Sequence, residues 1–415
     1  MHALLLAVAL TAAPAQRPIL ISVDDLPIAS GKLHPDPAER LKITQDLLAV
    51  LARHHVPAIG MVVGKNHTTP ADEALLDLWV KAGLELGNHT FSHPDASKLD
   101  AKDFIADADK ERAWLARFLA ARGKTLRYFR YPYLDEGETP AKLDTLRAYL
   151  ASSHQTNLPV TIDDQDWSFE DDWVAARRKN DAHAMAEIAA DYQAALRIHV
   201  EHFEAESDKL FGHAVPEIVL LHAEEVSAAQ WDAFFTWLES TGHRFAGVDE
   251  VMADPAYQTR QTYVGPHGIS LWDRIRVERR KLDATSAIAK FLQVQVAAWN
   301  RGDLETFTRA YADDATFVSP SGFNSGRAAV LERYKRKYPD RKAMGRLSLE
   351  LQETRLLEGD EFTYFGDTVP SHIQGATVAA RWKLELDGKP AATGTTLLVL
   401  RPVGDGWEIL QDASM

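Results

Sequence analysis

Hydrophobic residues follow two alternating patterns over roughly the first 255 positions. Short continuous apolar runs predict strands, and apolar residues recurring every three or four positions predict amphipathic helices. The predicted strands are 19–23, 58–63, 84–86, 127–130, 160–163 and 218–222, and the predicted helices are 39–54, 71–82, 103–121, 140–150, 182–211 and 227–240. This strand–helix alternation favours a parallel sheet, either open or closed into a barrel.

The pattern changes after about residue 254. Proline, glycine and a charged run over 254–283 predict a linker that leads into a helix. The predicted helices that follow are 285–300, 304–311 and 328–337, and the predicted strands are 347–357, 361–369, 376–386, 393–401 and 407–412. We therefore expect a first domain over 16–255, a linker over 256–283, and an α+β domain over 284–415 with helices first and an antiparallel sheet after them.

Composition narrows the classes of partner and site. The chain has 415 residues, a formal net charge of −14 and no long basic run. Nucleic acid and anionic membrane surfaces are therefore not expected partners. Because the sequence has no cysteine, disulfides and thiolate metal sites are excluded, and histidines and carboxylates remain as metal ligands.

The first fifteen residues are typical of a secretory signal. An apolar stretch over 3–13 ends in Ala13-Pro14-Ala15, which has the small-x-small pattern of a cleavage site. The stretch is too short to span a bilayer, and no other apolar run is long enough to do so. We expect residues 1–15 to be removed and the mature chain to be periplasmic or secreted. A frayed apolar terminus or a misassigned start is the alternative, since no Lys or Arg precedes the apolar stretch.

Chemically active side chains recur where predicted strands end. They are Asp24 and Asp25, His89 and His93, Arg130, Asp166, and His222. Each has an ordinary structural explanation when taken alone, such as a solvated carboxylate or a core histidine. The carboxyl ends of parallel strands in a barrel, however, meet on one face. One aspartate and two histidines could hold a metal there with one position open, and the second carboxylate could act as a base.

Five short motifs occur in order over residues 17–257: SVDD, NHTFSH, RYPY, DDQDW and LLH. Together they resemble the motifs of the polysaccharide deacetylases with the NodB homology domain, carbohydrate esterase family 4. The resemblance implies a distorted (β/α) barrel of the NodB type. It also implies metal-dependent hydrolysis of an N- or O-acetyl group on a poly- or oligosaccharide such as peptidoglycan or chitooligosaccharide.

The resemblance implies a metal centre with a base beside it. Asp25, His89 and His93 would hold a divalent metal, with zinc as the expected ion. Asp24 would be the general base, and Arg130 would favour its carboxylate form.

The resemblance also assigns the groups that face the substrate. The backbone N–H of Tyr133 would stabilise the oxyanion, and His222 would be the general acid, oriented by Asp166. Trp167 and Leu220 would line the pocket for the acetyl methyl group.

Two departures from the family pattern bear on the substrate. Val23 stands where the family usually has Phe, and Leu134-Asp135-Glu136-Gly137 follows RYPY in place of an immediate Gly. The second departure changes the shape of a loop at the site. The family resemblance is therefore a weaker guide to the substrate of this chain. Two alternatives remain, namely hydrolysis of a non-sugar linear or cyclic amide, and a non-catalytic glycan-binding protein. The five intact motifs argue against the second of these. Three tryptophans could stack on sugars, although packing is the favoured interpretation: Trp114, Trp173 and Trp231.

The second half resembles the NTF2-like (SnoaL-like) fold through AWNRGD at 298–303 and YADDATF at 311–317. The resemblance implies an α+β cone. Because this fold hosts isomerases, binding modules and dimerisation modules, it says little about function. Packing or homodimerisation is the favoured role, ahead of ligand binding. An isomerase-like site could use Asp314, Tyr364 and His372, but no pattern ties these residues together.

Overall fold

The computed structural model describes residues 16–265, 268–359, 361–364, 367–370 and 372–415. The predicted signal segment, 1–15, lies outside the described residues. The chain divides into two compact units, the first formed mainly by residues up to Arg276 and the second mainly by residues from Val277 onward. Within the described ranges, every helix is too short or too polar to cross a membrane.

The first unit alternates strands and helices. Its strands are β1 (Arg17–Leu26), β2 (Ile59–Val62), β3 (Glu85–Asn88), β4 (Tyr128–Phe129), β5 (Thr156–Asn157), β6 (Ile162–Asp163), β7 (Glu217–His222) and β8 (His243–Phe245). Its helices are α1 (Pro37–Arg53), α2 (Pro70–Lys81), α3 (Ala101–Ala120), α4 (Pro140–Ser152), α5 (Glu170–Lys179), α6 (Ala182–Phe211), α7 (Glu225–Ser240) and α8 (Val248–Val251). All six predicted strands and all six predicted helices of this half are confirmed.

The strands form one parallel sheet in the order β5-β4-β3-β2-β1-β7-β6, with β8 also pairing with β1. The sheet curls into the distorted barrel that the sequence predicts. Both faces of β1 are buried, which explains its continuous apolar run. Ile19 and Ile21 pack in the main core cluster with the surrounding helices, whereas Leu20 packs with Ile59 and Ile218. Since side chains alternate along a strand, Asp24 lies on the same face as Leu20.

The remaining elements form a mixed α+β fold. The helices are α9 (Leu271–Arg301), α10 (Leu304–Arg309), α11 (Arg327–Lys337) and α12 (Arg341–Met344). The strands are β9 (Tyr311–Ser319), β10 (Gly322–Ser325), β11 (Arg346–Glu358), β12 (Glu361–Tyr364), β13 (Asp367–Pro370), β14 (Ile373–Glu385), β15 (Ala392–Val403) and β16 (Gly406–Ser414). Six of these strands form a sheet in the order β10-β9-β16-β15-β14-β11, and β12 pairs with β13.

The predicted order of helices first and antiparallel sheet after is wrong in two respects. Strands β9 and β10 lie between α10 and α11, and β16 pairs with β9 in parallel. The acidic pair Asp313-Asp314 interrupts the apolar alternation of β9, so the hydrophobic pattern does not predict this strand. The single predicted strand 361–369 is also wrong, because two short strands, β12 and β13, occupy it.

Helix α9 begins at Leu271, inside the predicted linker 256–283. Its first turns carry Trp272 and Ile275, which are buried in a cluster with Val215 and Ala256. Burial of these side chains explains why the segment is helical rather than extended.

The motif residues of the second unit are largely structural. Trp299 is buried in the unit's core, and its indole Nε1 donates to the carbonyl of Met344 at 3.0 Å. Asn300 bonds both backbone groups of Leu347, at 2.9 and 2.8 Å. The AWNRGD motif therefore fastens α9 to the start of β11.

Candidate metal centre and catalytic site

Asp24 lies at the end of β1, directly opposite His222 of β7 in the strand register. Its Oδ1 accepts a hydrogen bond from Arg130 Nη1 at 2.7 Å. The same Arg130 atom donates to Ser22 Oγ at 2.9 Å, and Arg130 Nε donates to the Leu158 carbonyl at 3.1 Å. Asp24 and Arg130 are both buried, so the first motif and the third meet in an enclosed, hydrogen-bonded ion pair.

Asp25, His89 and His93 bring one ligand atom each to a common point. Asp25 Oδ1 lies 3.8 Å from His89 Nε2 and 3.5 Å from His93 Nε2. The three atoms lie within 4.8 Å of one another. Asp25 and His93 reach these positions with left-handed backbone, at φ 64° and 57°.

Hydrogen bonding fixes the orientation of His89. Its Nδ1 donates to the Arg130 carbonyl at 2.9 Å, which leaves the lone pair of Nε2 facing the common point. Burial, followed by the charge of His93, lowers the pKa of His89 to about 3. Burial also lowers the pKa of His93. Both imidazoles are therefore neutral near pH 7, as metal ligation requires.

The residues fit a divalent cation. Asp25 Oδ1 is buried and has no hydrogen-bond partner, which is unfavourable for a carboxylate oxygen unless something else binds it. Two neutral imidazoles and a carboxylate form the donor set of an open, three-ligand zinc site. Asp25, His89 and His93 could hold such an ion.

His222 and Asp166 form a second hydrogen-bonded pair at the end of β7. Asp166 Oδ1 lies 2.6 Å from His222 Nδ1, and Oδ2 accepts from the His222 backbone N–H at 2.7 Å. Burial lowers the pKa of His222, but the charge and hydrogen bond of Asp166 outweigh it and raise the pKa well above its usual range. The pair can therefore hold a proton on the imidazole beside the strand ends.

Tyr133 lies beside the metal ligands. Its ring meets the His93 ring edge-on, with centroids 4.6 Å apart. Tyr133 and Leu134 both adopt left-handed backbone, at φ 55° and 54°, which is costly for non-glycine residues. Leu220 is buried with Leu134 and Val160 in a small apolar cluster. Trp167 is 55% exposed.

A clamp on the loop after Tyr133 was not predicted from the sequence. Arg274, near the start of α9, contacts the Glu136 carboxylate and the Leu134 carbonyl through its guanidinium. Its Nε donates to the Ile269 carbonyl at 2.9 Å. A recess is lined in part by Arg130, Glu136 and Arg274. The unusual loop 134–137 can be recognised in the sequence. Its partner Arg274 lies in the segment predicted as a linker, so this contact was not predicted.

The structure supports packing roles for the three tryptophans. Trp173 and Trp231 are buried in the core, and Trp114 packs against it. Among the residues considered for an isomerase-like site, Asp314 pairs with Arg401 at 3.2 Å on the surface. The side chain of Tyr364 lies outside the described part of the structure.

Family models match both halves of the chain. Residues 11–149 match polysaccharide deacetylase, and residues 292–412 match the SnoaL-like domain. The first match contains Asp24, Asp25, His89, His93 and Arg130, and it ends before Asp166 and His222. The register of β1 with β7 and the Asp166–His222 pair connect these later residues to the same face.

Solved structures similar to parts of the chain fall into the same two groups. A family 4 carbohydrate esterase from Streptomyces lividans, in complex with acetate, is 21% identical and covers 56% of this chain and 94% of its own, with a TM-score of 0.38. A carbohydrate esterase family 4 pseudoenzyme from Bacillus anthracis is 17% identical and covers 58% and 66%, with a TM-score of 0.39. An NTF-2 like protein of unknown function from Shewanella oneidensis is 29% identical and covers 32% and 98%, with a TM-score of 0.27.

Proposed function

We propose that this chain, which joins a polysaccharide deacetylase domain to a SnoaL-like domain, is a metal-dependent hydrolase that removes acetyl groups from a poly- or oligosaccharide. One observation carries the proposal. The convergent ligand atoms of Asp25, His89 and His93 lie at the strand ends that also hold the Asp24–Arg130 pair and, on β7, His222 with Asp166.

A divalent cation held by Asp25, His89 and His93, with zinc as the expected ion, would supply Lewis-acid activation of water and of the acetyl carbonyl. Asp24 would accept the proton from the attacking water. Its Oδ1 is engaged by Arg130 at 2.7 Å, so Oδ2 is the oxygen available as base. Through this hydrogen bond Arg130 would position the Asp24 carboxylate.

His222 would donate a proton to the leaving amine or alcohol as the C–N or C–O bond breaks. Because Asp166 engages Nδ1 at 2.6 Å, Nε2 is the nitrogen that would carry this proton. The backbone N–H of Tyr133 would stabilise the tetrahedral oxyanion, a contribution that is typically ~10²–10³ in rate. Water adds to the carbonyl carbon, and the products are acetate and a free amine or hydroxyl group.

Leu220 and Trp167 would line the site of the acetyl methyl group. The buried cluster of Leu220 with Leu134 and Val160 supports an apolar wall on one side. The SnoaL-like domain would serve packing or homodimerisation, and the protein would act in the periplasm or outside the cell. Hydrolysis of a non-sugar amide by the same groups is the second candidate, favoured by the reshaped loop 134–137.

Acetate release tests the proposal. The full chain would be incubated with N-acetylated chitooligosaccharides, peptidoglycan fragments and acetylated xylan, each with and without a chelator. Acetate that disappears with chelator and returns with added Zn²⁺ is the expected result. A metal-loaded protein that releases no acetate from any of them would contradict the glycan substrate and favour the amide. A protein with neither acetate release nor bound metal would favour a non-catalytic glycan-binding role.

A further inference from the structure

A second group of histidine and glutamate side chains lies within the first unit and shares no residue with the site above. We propose that His34, Glu39 and Glu225 form a second binding site for a divalent transition-metal cation such as Zn²⁺. His34 lies in the loop before α1, Glu39 in the first turn of α1, and Glu225 at the start of α7.

Three ligand atoms converge. His34 Nδ1 lies 3.5 Å from Glu39 Oε2 and 3.9 Å from Glu225 Oε2, and the group lies within 4.8 Å overall. The distances from Nδ1 are too long for strong direct hydrogen bonds. Ligands bound at about 2.0–2.2 Å in tetrahedral geometry lie roughly 3.3–3.6 Å apart. The distance to Glu39 falls within this range, and the Glu225 side chain would move slightly closer to bind the same ion.

Two of these atoms are buried without a partner. The His34 side chain is fully buried, and its Nδ1 makes no hydrogen bond. Glu225 Oε2 is likewise buried and unbonded. A buried nitrogen and a buried carboxylate oxygen that face each other without hydrogen bonds are unfavourable unless a further group binds both.

Glu170 orients the histidine. Its Oε1 lies 2.8 Å from His34 Nε2, so Nε2 is engaged there and Nδ1 is the ring nitrogen that faces the two glutamates. Glu170 also accepts from the backbone N–H groups of Glu225 and Val226, at 3.0 and 2.9 Å. A carboxylate that engages the far nitrogen of a metal-binding histidine is the usual arrangement in such sites.

The charges of the group also favour a cation. Arg177 contacts Oε1 of Glu39 and Oε1 of Glu225, each at 2.5 Å, and leaves the two Oε2 atoms toward His34. The carboxylates of Glu39, Glu170 and Glu225 surround one imidazole and one guanidinium. Burial lowers the pKa of His34, but these three carboxylates outweigh it and raise the pKa. The cation would therefore displace a proton from Nδ1 when it binds. A divalent cation would balance the remaining negative charge, and its mixed nitrogen–oxygen ligands suit zinc. The bound cation would link α1 to the start of α7 at Glu225, which lies three residues after His222.

This second site is tested by measuring the zinc content of variants in which the first site is disabled. The measurement does not depend on catalytic activity. His93→Ala is made in the full chain to disable the first site. The protein is loaded with Zn²⁺, desalted and measured for zinc per chain by mass spectrometry. Glu39→Gln is then added, because Glu39 is the most exposed of the three ligands and its change is least disruptive to folding. Glu73→Gln, in the first turn of α2, is the matched control with the same loss of charge.

We expect about one zinc per chain in the His93→Ala protein and in its Glu73→Gln derivative, and at least tenfold weaker zinc binding in its Glu39→Gln derivative. Zinc should also raise the melting temperature of the first two proteins and not that of the third. Absence of zinc from the His93→Ala protein, or zinc that survives Glu39→Gln, overturns the proposal. Neither result bears on acetate release by the unmodified chain, so the two proposals fail separately.

Discussion

Arg130 holds one oxygen of Asp24 at 2.7 Å, while the other oxygen of Asp24 lies 3.4 Å from His89 Nε2. The two oxygens of one buried carboxylate are thus divided between an arginine and the candidate metal centre. This division separates the adjacent aspartates by role, since Asp25 faces the histidines and Asp24 faces the arginine.

Asp24→Asn should abolish turnover and leave the metal in place. The amide occupies the same space but cannot take a proton from water, so we expect kcat to fall by about 10²–10⁴. Zinc content should stay at the wild-type level, because none of the proposed ligands changes. Ser22→Ala is the control, since it removes another contact of Arg130 and spares the base. Near-normal turnover in Asp24→Asn would exclude Asp24 as the base.

His93→Ala should lose the first metal ion and the activity together. Two remaining ligands bind a divalent cation far more weakly than three, so activity should be lost together with the one zinc ion per chain that the first site holds. His183→Ala, which removes an exposed imidazole on α6, should change neither property. Binding of zinc by His93→Ala with an affinity like that of the wild type at Asp25 and His89 would contradict the ligand assignment.

Asp166→Asn should shift the pH dependence of catalysis. Asp166 raises the pKa of His222 against the effect of burial, so the imidazole keeps its proton to higher pH. Removing the carboxylate charge lowers this pKa, and a general acid is lost as pH rises through its pKa. The alkaline limb of kcat/KM should therefore move to lower pH by about one unit or more. Asp171→Asn on α5 is the control, and an unshifted limb in Asp166→Asn would remove His222 as the acid.

Much of the first unit follows from sequence pattern because its elements are local. The apolar run before Asp24 predicts β1, and the parallel arrangement brings the ends of separate strands to one face. Helix α5 was not predicted, because its ten residues are mostly charged and only Trp173, Val174 and Ala176 supply a buried apolar stripe. Strand β5 has only two residues, too few for any periodicity.

Contacts between distant segments were beyond sequence reasoning. Leu134 and Arg274 are 140 residues apart, and no local pattern indicates that one binds the other. The same holds for His34 and Glu225, whose proximity depends on how α1 and α7 pack. Parallel pairing of β9 with β16 likewise joins the two ends of the second unit. The residue types at strand ends can be identified from a sequence, whereas these tertiary contacts cannot.

The contact between Arg274 and the loop after Tyr133 leads to the last prediction. Tyr133 and Leu134 have consecutive left-handed backbone conformations, each costing roughly 1–2 kcal/mol. Such a conformation persists only if its surroundings hold it. Arg274 does so from two sides, through the Leu134 carbonyl and Glu136, and Glu136 in turn accepts from Asn157 at 3.0 Å. Arg274 is thus a positioning residue for the proposed oxyanion donor.

Arg274→Met should therefore lower kcat by about tenfold or more, while zinc content and KM change little, because a displaced oxyanion donor weakens transition-state binding. Loss of one partner of the buried pair with Glu136 should also lower stability, by about 3–5 kcal/mol.

Arg147→Met is the matched control, since Arg147 also contacts Glu136, at 3.1 Å, from a more exposed position. It should leave kcat within about threefold of wild type, because it does not hold Leu134. Arg274→Lys keeps the charge and should recover part of the activity. A folded Arg274→Met protein with wild-type kcat would show that the loop keeps its conformation without the clamp.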